Sequence, residues 1–373
     1  MGEPRLSENE LVALLRLQAI PHIGDITAKK LIAHCGSAEA LFSEPRRHLL
    51  KIGGVGTHTL RELYHPAHLE AAQSEMNFVK NTEGVEVLAY SDPDYPERLK
   101  HCIDAPLLLF KRGNINLQGQ RIISVVGTRN MTSYGQNFCE RLISELSPLS
   151  PVIVSGFAYG VDIHAQREAI KNKLQTVGCL AHGLNQIYPR PHGKYVGEVE
   201  RNGGFLTEFW STANPDRENF LKRNRIIAGM SEATVVIESG EKGGSLVTAN
   251  LAHGYNRDVF AVPGRSTDKF SIGCNNLIKQ QKAHILTSAA DLVYLLNWEV
   301  GELEKTTIQK QLFVELDEVE KTIYDYLQSN GKQLLDTIAI ECQIPVFKVS
   351  STLLAMEMKG VIRPLPGKIF EAI

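Results

Sequence analysis

Residues Asn219–Ala249 read NFLKRNRIIAGMSEATVVIESGEKGGSLVTA. Three cations, Lys222, Arg223 and Arg225, stand before an apolar run at Ala233–Ser239, and the turn Gly243, Gly244 and Ser245 stands after it. The apolar run has the length of a strand, and the turn opens a helical stretch. A strand passing through glycine into a helix is the building unit of an α/β domain. Two readings of the charge around it compete: a site that holds phosphates, or a structural corner with a solvated face. The stretch FLKRNRIIAG reads as helical. Arg223 and Arg225 lie two positions apart, so they share no narrow helical face. One is free to serve a site while the other pairs structurally, with Asp216 and Glu218 as candidate partners.

The same unit recurs on both sides. Ile122–Gly127, Pro151–Gly156, Leu174–Leu180, Gly203–Glu208 and Arg257–Gly264 are further apolar runs separated by amphipathic stretches. Continuous apolar runs between helices imply a parallel sheet covered on both faces. Right-handed crossovers then give a doubly wound fold. The expected central domain, residues 85–300, is therefore an extended, mainly parallel, Rossmann-like α/β domain.

Residues 1–80 read as an all-α domain. Ile20–Gly36 and Leu49–Leu63 each place an apolar-Gly-apolar turn before a helical stretch, the pattern of a helix-hairpin-helix motif. Such a turn offers backbone N–H groups to a phosphate without reading sequence. The alternative is a tight corner capped by glycine. Lys29 and Lys30 are the cations that would support a DNA contact. Residues 301–314 are a polar linker, and 315–373 hold three helical stretches and a closing hairpin, a winged helix. Its last helix, Val346–Gly360, carries Lys348 and Lys359 with Glu357 between them. That is thin for a DNA-reading helix and favours a protein-contact or autoregulatory role.

The chain has 373 residues, 43% hydrophobic and 22% charged, with a formal net charge of -2. This composition suits folded domains, and any nucleic-acid binding must come from a local basic patch. No apolar run reaches the length of a membrane span, and the N-terminus lacks a signal-peptide pattern. The six cysteines are scattered without a CxxC pair, which indicates reduced thiols in the cytoplasm and no metal site.

In an open parallel sheet, ligands gather at the carboxyl ends of strands. Three such ends carry the same chemistry here: Gly127, Thr128 and Arg129; Ser155, Gly156 and Phe157; and Lys242, Gly243, Gly244 and Ser245. Glycine admits an oxygen close to the backbone, and helix starts aim free N–H groups at it. Arginine adds a planar fork suited to phosphate. Each turn alone is explained by local backbone needs. Several at one sheet edge, joined by Arg129, Arg223 and Arg225, suit a polymer of phosphates. Neither GxGxxG nor GxxxxGK[ST] occurs, so no dinucleotide or P-loop cofactor is expected. Phe157 and Tyr159, in a glycine-flanked loop, are the candidates for base stacking.

SVVGTRNMTSYG, VSGFAYGVDIHAQREAI, GLNQIYPRPH, GGFLTEF, FLKRNRIIAGMS, ESGEKGGSLVTAN and VPGRSTDKFSIGCNNLI stand in the order seen in the DprA/Smf DNA-processing family, which the chain resembles over roughly residues 85–290. The resemblance implies a cytoplasmic homodimer that binds single-stranded DNA. It implies protection of incoming DNA and loading of the RecA recombinase during natural transformation. Carried over by position, the DNA-contacting groups are Gly127–Thr128–Arg129, Ser155–Gly156, Arg223–Asn224–Arg225 and Gly243–Gly244–Ser245, with Lys242 beside them. Gln166, Asn185 and Lys282 depart from the family's usual His, Asp and Gly.

The central domain also resembles, more distantly, the LOG-type nucleotide hydrolases. Aligning the glycine pair places Asn250 where their catalytic Glu stands, so the group that assists glycosidic cleavage is missing. Asp162 and His164 sit two apart on a helix and point to different faces. Glu208 and Glu238, at strand ends, fit the role of partners for loop N–H groups and arginines. No catalytic residue is assigned.

Overall fold

The computed structural model describes residues 6–298, 316–359, 361–365 and 368–372. The chain divides into two compact units, Met1–Glu299 and Val300–Ile373. The expected linker, 301–314, lies outside the described residues.

Among the described residues, nine strands form one sheet in the first unit. They are β1 (Val85–Ala89), β2 (Leu108–Gly113), β3 (Ile122–Val126), β4 (Val152–Ser155), β5 (Thr176–Cys179), β6 (Gly203–Thr207), β7 (Ala233–Val236), β8 (Asp258–Ala261) and β9 (His284–Ile285). The order across the sheet is β1-β2-β6-β5-β4-β3-β7-β8-β9. From β6 to β9 every pairing is parallel. β2 joins β6 antiparallel, and β1 joins β2 antiparallel. The chain winds outward from β3 through β6, then returns to lay β7 on the other side of β3. β3 and β7 thus flank the switch point of the winding, where ligands gather in this architecture.

β3 to β7 are buried at every residue, as strands with helices on both faces must be. Two buried hydroxyls at the β3/β7 junction satisfy each other, with Ser124 Oγ donating to Thr234 Oγ1 at 2.8 Å. The helical N-terminal block packs into the same unit. One apolar cluster joins Leu15, Leu17 and Leu63 to Phe110, Phe157 and Phe205 of the sheet and its loops. Helices Glu8–Ala19 and Asp25–Cys35 flank the first hairpin turn, and Arg46–Leu49 and Thr57–Leu63 flank the second.

The second unit has helices Glu318–Asn330, Leu335–Glu341 and Val346–Met358. Its strands β10 (Gln333–Leu334), β11 (Ile362–Leu365) and β12 (Ile369–Ala372) form an antiparallel sheet in the order β10-β12-β11. Asp317 caps the first of these helices through a capping box with Glu320, and Lys359 closes on Glu320 at 2.6 Å. This is a winged helix. Among the described residues, no single helix is long and apolar enough to cross a membrane.

Candidate nucleic-acid interface

A cavity of about 830 Å³ lies over the carboxyl ends of β3 and β7. Its floor is the loop after β3, with Gly127, Thr128 and Arg129. One wall is the loop and helix start after β7, with Lys242, Gly243, Gly244 and Ser245. The other wall is helix Arg217–Met230, which offers Arg217, Phe220, Arg223 and Asn224.

The two loops are tied together. Thr128 N donates to the Glu238 carbonyl at 2.7 Å. The buried Glu238 carboxylate accepts from Thr132 N at 2.9 Å and from the Thr132 hydroxyl. Glu238 therefore fixes the arginine-bearing loop and does not face a ligand. The loop after β4 is pinned from the other side, with Val161 N donating to the Thr128 carbonyl at 3.1 Å. Glycine is required there: Gly160 has φ +75°, and an added Cβ would lie 2.2 Å from Thr128 O. Gly243 caps helix Gly244–Gly254 without any side-chain bond to its first amides. Ser245 Oγ donates to Ser239 Oγ at 2.9 Å, which holds the turn shut beneath those amides.

Two guanidinium groups approach Phe220. Arg129 is exposed and stands 5.5 Å from the ring centroid. Arg223 stands 5.8 Å from the same ring, and only 4% of it is exposed. Arg223 Nη1 donates to Gly156 O at 2.6 Å and to Cys179 O, while its Nε has no hydrogen-bond partner. The Asp162 carboxylate accepts from Gly156 N at 3.1 Å. Burial pushes the Asp162 carboxyl above the usual carboxylate range, and the Arg223 charge opposes that push.

Several sequence expectations are corrected here. Phe157 does not offer a stacking face. Its φ of +57° turns the ring inward, where it is fully buried against His192 and Phe205, with centroids 5.3 and 5.0 Å away. Ser155 is also buried, and its hydroxyl donates to Val125 O at 2.6 Å. Gly156 lies beneath the cavity as the seat of Arg223 and Asp162. Arg225 points away from the cavity. It binds the Glu208 carboxylate, Asp25 Oδ2 at 3.0 Å and the Asp104 carbonyl. Its partners are thus Glu208 and Asp25, not Asp216 or Glu218. Lys222 lines a different cavity. Lys29 is engaged as well: its ammonium donates to Ala105 O at 2.6 Å and lies over the Tyr90 ring. His164 faces Glu140 at 3.4 Å while Asp162 faces Gly156, so the two are no acid–base couple.

Gly127, Thr128, Arg129, Arg223, Asn224, Lys242, Gly243, Gly244 and Ser245 are brought together. Phe220 and Arg217 join them without having been singled out. The signal for Phe220 was its place three residues before Arg223 on one helix, which puts both on one face. Tyr159 remains accessible, 43% exposed, beside His192.

The fold and its cavity define a doubly wound α/β protein with a cationic rim and an appended winged helix. The chain matches the family described as DNA recombination-mediator protein A over residues 86–297, and the DprA winged helix domain over residues 311–368. It belongs to the DprA/Smf family of DNA-processing proteins. DNA processing protein DprA of Bacillus subtilis is 38% identical over 211 residues, covering 56% of this chain and 71% of that one. Protein Smf of Escherichia coli is 31% identical over 276 residues, covering 73% and 74%. The solved DprA of Streptococcus pneumoniae superposes with a TM-score of 0.65 at 28% identity, over 78% of this chain and 98% of that one. DNA processing protein A of Helicobacter pylori, studied for its single-stranded DNA binding mode, gives a TM-score of 0.52 at 28% identity over 57% and 95%.

Proposed function

We propose that this protein binds single-stranded DNA along the carboxyl rim of its sheet. It then acts as a recombination mediator that shields the strand and hands it to the RecA recombinase, working in the cytoplasm as a homodimer without chemistry of its own. The observation that carries this reading is the pairing of Arg129 and Arg223 around Phe220, in one cavity with the uncapped amides at Gly243 and Gly244. A ring offers stacking to any base, and the guanidinium groups attract the phosphates that follow it. The Helicobacter pylori relative's single-stranded DNA binding supports the choice of polymer.

A LOG-type hydrolase reading has less support. Glu208 is engaged with Arg225, and Asn250 spends its amide on Leu246 O at 2.8 Å. The deciding experiment is a mobility shift with single- and double-stranded oligonucleotides over a salt series, repeated with RecA. Preference for the single strand, a steep salt slope and a ternary shift with RecA are expected. Equal binding of both forms, or none, removes the reading.

A further inference from the structure

A second cavity, of about 490 Å³, opens on the other flank of helix Arg217–Met230, between the hairpin turn at Ile23–Gly24 and the loop after β6. We infer that it takes a nucleobase of the same DNA strand, an inference that rests on the rim-binding reading above. Leu221 lines the rim cavity and Lys222, the next residue, lines this one. The two cavities therefore open on neighbouring faces of the accessible first turns of one helix, so a strand leaving the rim over Phe220 and crossing those turns would reach Lys222.

The walls suit a base. Phe209 and Trp210 are both partly exposed beside Lys222. Any base can stack on an aromatic face, which makes such a seat tolerant of sequence. The platform is held in place before any ligand arrives. Trp210 Nε1 donates to Gln18 Oε1 at 2.7 Å, and Phe209 N to Thr207 Oγ1 at 3.1 Å. Ser211 donates through both its amide and its hydroxyl to the buried Glu75 carboxylate, each at 2.7 Å.

The charges agree. The two acids lining this cavity, Asp25 and Glu208, are both engaged by Arg225. Lys222 is exposed and, among the described residues, forms no hydrogen bond or close ion pair, although it adds to the positive field on Glu208; its ammonium is therefore available to the phosphate attached to the stacked base. The helix-hairpin-helix turn thereby becomes one side of a base seat instead of a separate duplex-binding device.

The chain has two tryptophans. Trp298 is buried, with Nε1 bonded to Glu232, so Trp298→Phe leaves Trp210 as a reporter without touching either cavity. Oligothymidylates of about three and about twelve nucleotides, one below and one within the roughly 4–16-nucleotide site sizes of single-strand binders, are titrated into that variant and into the same variant carrying Arg129→Ala. Both lengths are expected to bind in an Arg129-dependent manner. Only the longer quenches Trp210, and the quench is lost when its bases are replaced by abasic sites. Phe209→Ala is expected to weaken the longer oligonucleotide about fivefold or more and to leave the shorter one unchanged. Tight, Arg129-dependent binding of the longer strand with unaltered Trp210 emission, or a quench that survives abasic replacement, overturns the base seat and leaves the rim reading intact. If neither length binds, or Arg129→Ala changes nothing, the rim reading itself falls and takes this inference with it.

Discussion

The Asp162 carboxylate and the Arg223 guanidinium close on Gly156 together, one accepting from its N–H and the other donating to its carbonyl. A Cβ at this position would lie 2.5 Å from Asp162 Oδ2 and 2.4 Å from Arg223 Nη1. Glycine is what lets a buried arginine dock against the strand end and turn its remaining edge toward the cavity. Gly156→Ala is therefore expected to lower stability by about 1–3 kcal/mol through overpacking and to weaken single-strand binding as Arg223 is displaced. Thermal unfolding and a binding titration on the same preparation check this; wild-type values in both would show that the seat is not needed.

Arg129 and Arg223 should fail differently. Arg129 is exposed, so Arg129→Ala is expected to leave the melting temperature within a degree or so of wild type. It should flatten the salt dependence of single-strand binding by about 0.7 for the lost phosphate contact. Arg223→Ala leaves buried carbonyls and a buried carboxyl without their cation, which is expected to cost about 3 kcal/mol or more of stability. Denaturant unfolding alongside a salt-series titration separates the two. An Arg129→Ala protein with an unchanged salt slope would remove that side chain from the interface.

The strands of the parallel half were legible because each is a short apolar run between helical stretches, and several of them run into glycine or serine, as Ile122–Gly127 and Val152–Ser155 show. β1, β2 and β9 were not named. β1 stands at one edge of the sheet and β9, two residues long, at the other, so neither has the continuous apolar run of a doubly covered strand; β2 lies inside β1, and its apolar run stops at Phe110 before the half-buried Lys111–Gly113. Local turn chemistry likewise exposed Thr128, Arg129, Gly243 and Gly244. It misled at Phe157, because the order of residues says that a loop follows β4 but not that a left-handed backbone sends the ring into the core. The partner of Arg225 was out of reach for another reason. Asp25 lies 200 positions away, and only the docking of the helical block against the sheet brings it near.

Glu75 gives the protein a pH dependence of predictable sign. It is buried, and burial pushes its carboxyl above the usual range despite two bonds from Ser211. A carboxyl raised in the folded state contributes fully below its unfolded value, about 4.3, and that contribution is lost as pH rises through the raised folded value. Glu75→Gln keeps a polar partner for Ser211 without the charge. The variant is expected to melt near wild type at pH 4 and above it at pH 7, with the gap opening between. Melting curves across that range test it, and a gap that is flat with pH would assign the effect to packing alone.

Arg225 is expected to hold the helical block to the sheet and to be silent toward DNA. Its guanidinium joins Glu208 at the end of β6 to Asp25 at the start of a hairpin helix. Burial already pushes the Glu208 carboxyl upward, with Arg225 opposing. Removing the cation strands a buried carboxylate, so Arg225→Ala is expected to cost about 3 kcal/mol of stability. Proteolysis should then open first around Ile20–Gly24, since docking of that turn depends on the triad. At a temperature where the variant is still folded, its affinity for a short oligonucleotide should match wild type within about twofold, because the side chain points away from the rim cavity. A loss of short-strand affinity as large as that of Arg129→Ala, in a protein of unchanged stability, would put Arg225 back among the DNA contacts and reverse the assignment made from its partners.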